Sequence, residues 1–179
     1  LGAVFDDCVN AVDPFVDFSN GGSGYYGINM MFNSTMGCCA WGGGRTRTLD
    51  GVEKYWGVTW LPPWSHRHSV IAHEMGHAFG LPHSNNWDDD DYPYDNPWDV
   101  MSMSGSSNTV NDPVYGSLGP HTNAYHKYDL GWISGDRLLV VSPETTVTTT
   151  IDAMTVPNTT NHRMAKIVVN ENTYFTVEV

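Results

Sequence analysis

The stretch that most constrains this chain is His73-Glu74-Met75-Gly76-His77-Ala78-Phe79-Gly80-Leu81-Pro82-His83. On a helix, residues four apart lie on one face, one turn from each other, so His73 and His77 present two imidazoles side by side. Such a pair can reach a single ion, each nitrogen at about 2.0–2.1 Å. Glu74 stands next to them, near the ion but not aimed at it, where it can take a proton from water. Glycine tolerates positive φ, so Gly80 lets the chain leave the helix and turn back. His83 then arrives as a third nitrogen ligand. Three protein ligands leave a fourth position for water, the arrangement of a catalytic metal site and not of a structural one. A helix with incidental histidines would have to place three of only eight in this register, with the glutamate and the glycine also in place.

The flanking sequence predicts a helix over His68–Phe79, with Ser65 as N-cap, Gly80 at its end and Pro82 preventing continuation. Upstream, the apolar spacing from Val4 to Val16 suits a helix face that Pro14 ends or kinks. After the Gly-rich break at 20–24, strands are expected at Tyr25–Phe32 and Val52–Leu61, with Pro62-Pro63 as a stop. Gly37–Gly44 reads as a short strand running into a loop of three glycines. Ser84–Pro120 is long and irregular, and such a loop within a compact domain is usually functional. Asn123–Leu130 looks helical. Thr145–Ile151, Met164–Val169 and Thr173–Val179 are β-branched and alternating, as strands are. The last has no turn signal after it and suggests a parent chain that continues.

The chain has 179 residues, enough for one domain or one domain with an appendage, and 40% of them are apolar. Its net charge of -12 disfavours nucleic acid and anionic membrane surfaces as partners. No apolar run approaches the roughly 20 residues of a bilayer span. The start, Leu-Gly-Ala, reads as a processed or trimmed end. Three cysteines allow one internal bridge at most; a link from Cys8 to Cys38 or Cys39 is expected, because adjacent cysteines pair poorly, and buried free thiols are the alternative. Sequons stand at Asn33 and Asn158.

These residues resemble those of the metzincin metallopeptidases, most closely the gametolysin and immune-inhibitor-A group. Three stretches carry the resemblance. One is the histidine helix, entered through Val70-Ile71-Ala72 and left through Leu81-Pro82-His83-Ser84. Another, Asn96-Pro97-Trp98-Asp99-Val100-Met101-Ser102, is similar to that group's Met-turn. The third, Asn123 to Trp132, is similar to the helix ending in Leu-Gly-Trp that follows it. The resemblance implies a secreted zinc-dependent endopeptidase with an α+β, two-lobed catalytic domain: a twisted mixed sheet with helices above a cleft, and an irregular lobe below. It places the catalytic domain at 1–134 (upper lobe 1–83, lower lobe 84–134) and a β-rich extension at 135–179. Zinc would be held by His73, His77 and His83, with Glu74 as general base and a protein or peptide as substrate; a propeptide is expected in the precursor. Met101 would form the apolar floor, with Met103 its rival. Met103 also occupies the position where some metzincins carry a tyrosine, so an assisting tyrosine would come from elsewhere; Tyr125 and Tyr128 are candidates, with ordinary packing the favoured reading of both.

Asp88–Asp91, with Asp95 and Asp99, is dense enough in hard oxygen ligands to hold Ca2+, but it lacks a spaced calcium-loop pattern, and a solvated acidic loop is favoured. Asp99 is alternatively a hydrogen-bond partner of a ligand histidine. His66 and His68 read as surface or capping residues. A thermolysin-like hydrolase would take its third ligand from a distant glutamate, for which Glu144 is the candidate, and a zinc-dependent binding module would keep the ligands without the chemistry. Substrate is expected to add to a sheet edge, at either Gly37–Gly44 or Trp56–Leu61.

Overall fold

The computed structural model describes residues 2–19, 24–37, 39–86, 92–102 and 108–179. Its architecture is α+β, with small sheets and few helices, and its contacts fall into two compact units, Leu1–Pro120 and His121–Val179.

The first unit begins with α1 (Gly2–Val12), which passes into a 3-10 turn at Asp13–Phe15 where Pro14 removes a backbone donor. Three strands follow, β1 (Gly27–Met31), β2 (Trp41–Leu49) and β3 (Val52–Leu61), in the order β1-β3-β2. β1 runs parallel to the central β3, and β2 runs antiparallel to it. One face of this sheet is apolar. Phe5 and Val9 of α1 pack there with Phe18, Met30, Trp56, Val58 and Trp60. The Phe18 ring meets the Trp56 ring edge-on at 5.7 Å between centroids. Burying a side chain of this size contributes roughly 1.5–3 kcal/mol, so this cluster holds α1 to the sheet.

The opposite face is nearly bare. Paired residues share a face, and the register aligns Gly44, Gly57 and Gly27 in a row across all three strands. Gly42, Thr59 and Asn29 form the next row, in which the Thr59 hydroxyl donates to Asn29 Oδ1 at 2.8 Å. The helix α2 (His68–Ala78) lies against this surface. A Cβ at Gly42 would stand 1.9 Å from the carbonyl oxygen of Glu74, and one at Gly57 would stand 2.7 Å from that of Ala78. The three glycines expected to open a loop are therefore strand residues. Gly42 is small because the α2 backbone occupies the space its side chain would need, whereas at Gly43 and Gly44 the Trp41 and Tyr55 rings occupy it.

Ser65 does not cap α2. It is buried in a 3-10 turn over Pro63–Ser65, its hydroxyl donates to the Pro62 carbonyl at 2.7 Å, and Arg67 occupies the N-cap without a side-chain bond. The stretch expected to be irregular contains a short hairpin, β4 (Val110–Asp112) and β5 (Gly116–Leu118). Asp112 Oδ1 accepts from the amides of Val114 and Tyr115 in its turn. The expected Cys8 bridge is absent: Cys8 is a free thiol, whereas Cys39 is disulfide-bonded and Cys38 lies outside the described residues.

In the second unit, α3 (Ala124–Asp129) is capped by Asn123, whose Oδ1 accepts from the His126 amide at 2.9 Å. It packs on a sheet of β6 (Leu138–Val141), β7 (Met164–Asn170) and β8 (Thr173–Val177), in the order β6-β7-β8. The helix that the resemblance assigns to a lower lobe falls in the same compact unit as these strands. The Lys166 ammonium lies 4.0 Å from the Tyr174 ring centroid and 4.8 Å from that of Tyr128. Thr145–Ile151 is not a strand. Its residues through Thr150 are exposed, and the one bridge it makes joins Ile151 to His162; an alternating pattern without a neighbouring strand to pair with stays extended and solvated. Among the described residues no helix is long and apolar enough to cross a membrane.

The close approach of α2 to β2 makes a quantitative prediction. Gly42→Ala should lower thermal stability by about 2 kcal/mol or more, because a helix backbone cannot yield as a flexible side chain can. Gly135→Ala, where a Cβ would meet nothing within 4 Å, should stay within about 0.5 kcal/mol of the parent. Chemical denaturation of both variants checks this, and equal stability of the two would overturn the packing argument.

Candidate metal centre

Helix α2 brings His73, Glu74 and His77 to the site, and its C-terminal turn brings His83. That turn is closed by two reversed hydrogen bonds, Leu81 N to Gly76 O and Gly80 N to His77 O, both 3.0 Å, with Gly80 at φ +96°. This is a Schellman turn, which reverses the chain sharply and requires the left-handed residue that glycine supplies. Leu81 is buried, and His83 follows two residues later.

The ligand atoms of His73, His77 and His83 all lie within 4.8 Å of one another, so this group can hold a metal ion. Among the described residues it is the one His/Cys/Asp/Glu cluster with that geometry. The protonation pattern sharpens the point. His73 Nδ1 bonds the Val100 carbonyl at 2.7 Å, and His77 Nδ1 bonds the Leu81 carbonyl at 2.8 Å. A carbonyl only accepts, so in both rings Nδ1 carries the proton and the neutral imidazole turns a lone pair outward from Nε2. Those two Nε2 atoms face each other at 3.1 Å. Two lone pairs at that distance repel unless a cation lies beside both. Two donors about 2.0–2.1 Å from one ion, at a tetrahedral angle, stand about 3.3 Å apart. The donor set thus fits a tetrahedral metal with nitrogen ligands.

Burial reinforces the arrangement. Desolvation is the largest influence on His73 and pushes its pKa down to about 4, with His77 and His83 also disfavouring its charge; the Val100 bond and Asp99 act in the opposite direction. His83 is lowered for the same leading reason. Both rings are therefore held neutral, as metal ligation requires. Glu74 is 8% exposed, and burial pushes its carboxyl up to about 7. A carboxyl poised there is matched to proton transfer near neutral pH.

Met101 is fully buried against α2. A Cβ at Gly76 would fall 2.1 Å from its sulfur, so the glycine inside the motif admits the methionine. Met103 and Asp88–Asp91 lie outside the described residues. Asp99 does not orient His73: the Nδ1 partner is the Val100 carbonyl, and Asp99 Oδ1 accepts from the Met101 amide at 3.0 Å, fixing the turn. Asp95 accepts from the Asn86 amide. His66 Nε2 donates to the Leu61 carbonyl at 3.1 Å, and His68 is an exposed first residue of α2. Glu144 is exposed at φ +61° in the second unit, as are the ring contacts of Tyr125 and Tyr128 with Tyr174.

Two further residues support the site, Tyr94, which carried no sequence signal, and Asn96, which opens the Met-turn-like stretch. Tyr94 packs its ring on His83, with centroids 4.3 Å apart. Asn96 joins the segment after the third histidine to the Met101 turn: its amide group donates to Ser84 Oγ at 2.9 Å, and its backbone N–H donates to Ser102 Oγ at 2.9 Å. Neither sits at a spacing that the histidine motif defines. No family model, curated protein or solved structure matches the chain.

The Glu74 environment has a measurable signature in the metal-free protein. A carboxyl at 4.5 when unfolded and about 7 when folded leaves folding undisturbed below pH 4.5, and its buried charge costs stability as pH rises through 7. Glu74→Gln removes that cost. Its advantage over the parent should grow from near zero at about pH 4.5 to as much as about 3 kcal/mol at about pH 8. Denaturant titrations across this range test it, and a pH-independent difference would refute the buried-charge account. His73 behaves oppositely, costing stability as pH falls from 6.5 towards 4, but it is common to both proteins and cancels.

Proposed function

We propose that this chain is a zinc-dependent endopeptidase of the metzincin type. The observation that carries the reading is the pair of outward Nε2 lone pairs of His73 and His77, joined by His83, with a buried glutamate of raised pKa as the next residue on the same helix. The chemistry of the donor set favours zinc, since imidazole nitrogens in a tetrahedral array with an open position suit it. Zinc bound there would act as a Lewis acid towards water and the scissile carbonyl.

The chain's own residues account for the rest. Glu74 accepts a proton from water, whose oxygen attacks the carbonyl carbon. As the carbon–nitrogen bond breaks, Glu74 returns that proton to the leaving amine. The Val100 and Leu81 carbonyls keep two histidines in the tautomer that presents Nε2. Met101 supports α2 from within the core.

Of the two edges considered for substrate, β2 is favoured. β3 is central in its sheet, and its residues Gly57–Trp60 pair on both sides, whereas β2 pairs, among the described residues, with β3 alone and passes directly over Glu74 at Gly42. An extended peptide can add to that edge by main-chain hydrogen bonds. In this reading the sheet and α2 form the upper lobe, and within the first unit the described residues after His83 line the cleft from below. The same reading makes the protein secreted, released from a propeptide, and active on proteins or peptides.

Glu74→Gln should keep its zinc and lose proteolysis by about 10²–10⁴-fold, the usual contribution of a general base. A casein assay with parallel metal analysis is the test, and near-parental cleavage by the zinc-loaded variant would end the assignment of the base. His83→Ala should weaken zinc binding strongly. Unchanged affinity would instead support a distant carboxylate ligand such as Glu144.

A further inference from the structure

We infer that Tyr94 is the positioning residue of the third ligand, its ring fixing the His83 imidazole as hydrogen bonds fix the other two. The inference rests on the reading of His83 as a metal ligand and extends it to a residue outside the motif.

The three histidines are not held alike. His73 and His77 are each pinned by an Nδ1–H bond to a carbonyl. Neither nitrogen of His83 has a hydrogen-bond partner among the described residues. It projects from the chain beyond the helix, where its ring meets those of His77 and His73 at 4.7 and 5.4 Å between centroids. A ligand free to rotate would spend entropy on each binding event. What the structure supplies instead is an aromatic contact. The Tyr94 ring is tilted by 53° over His83 with centroids 4.3 Å apart, and it stands 6.3 Å from His73. Tyr92 backs Tyr94 edge-on at 6.0 Å.

Tyr94 is held in place by the residues that hold the segment after His83. Ser84 N donates to the Met101 carbonyl at 3.0 Å, and Asn96, two residues beyond Tyr94, donates to the Ser84 hydroxyl. The same asparagine bonds Ser102, and its Oδ1 accepts from the Trp98 amide. One clamp therefore ties the base of the ligand to the base of the ring that packs on it. Outer contacts that orient a ligand are commonly worth 10–100-fold in metal affinity.

The test is zinc affinity, measured by competition with a chromophoric chelator on the whole chain carrying Tyr94→Phe, Tyr94→Leu, Tyr94→Ala or His83→Ala. Tyr94→Ala should weaken zinc roughly tenfold, Tyr94→Phe should remain within about twofold, and the metal-free thermal midpoints should agree within about 3 °C. Should Tyr94→Ala lower the metal-free midpoint further, Tyr94→Leu decides, since it keeps apolar bulk without a ring and should still weaken zinc. Parental affinity in Tyr94→Leu or Tyr94→Ala overturns the inference, as does a loss in Tyr94→Phe equal to that in Tyr94→Ala, which would assign the effect to the hydroxyl. If His83→Ala itself binds zinc normally, the three-histidine reading fails first. Weak binding by His83→Ala with unchanged Tyr94 variants removes only the role of Tyr94.

Discussion

The first unit depends on one contact, that of the α2 backbone with a sheet surface stripped of side chains. Gly42 and Gly57 let the carbonyls of Glu74 and Ala78 come closer to the strands than any other residue would allow. The contact spaces the helix from the sheet and sets its rotation. That rotation determines which way His73 and His77 point and where Glu74 is buried. A helix resting on leucines would sit at the usual interelement distance, and the edge strand would lie too far from the glutamate to share a cleft with it.

On the other side of α2 the same rule is applied with a different partner. Gly76 leaves room for the Met101 sulfur, so the helix is packed closely by main chain on one face and by a soft, adaptable side chain on the other. The Met101 turn in turn supplies the Val100 carbonyl to His73 and the Met101 carbonyl to Ser84. The orientation of His73 and core packing are therefore one construction, and a change made to repack Met101 reaches His73 through its neighbour's carbonyl.

Much of this was legible in the sequence, for identifiable reasons. β3 and α2 were readable because their signals are local: a β-branched and aromatic run stopped by two prolines, and a helix ended by Gly80. The three histidines and Glu74 were readable because helical periodicity converts spacing into geometry. What failed was, apart from Ser65, non-local. Glycines at 42–44 look like a loop until the helix over Gly42 and the Trp41 and Tyr55 rings over Gly43 and Gly44 are in view. Ser65 has the chemistry of a cap, but its hydroxyl is taken by the Pro62 carbonyl. Thr145–Ile151 has a strand's alternation without a strand to pair with. Cys8, buried partly beside the core of α1, stays a thiol because pairing depends on where the other cysteines are placed and not on their number. Tyr94 reaches His83 through a loop whose course no pattern specifies.

The glycine run in β2 has a consequence for recognition. Any extended segment that adds to this edge meets, over three consecutive positions, a strand with no side chains of its own. The Trp41 ring leans across Gly43, and the Tyr55 ring across Gly44, so aromatic faces stand where β-carbons would be. Such a surface discriminates shape and main-chain direction, and it is nearly blind to the identity of the residues laid along it. If the chain is the endopeptidase proposed above, selectivity would be exercised at the ends of the bound segment, which would make the cut tolerant of sequence at the centre and demanding at the flanks.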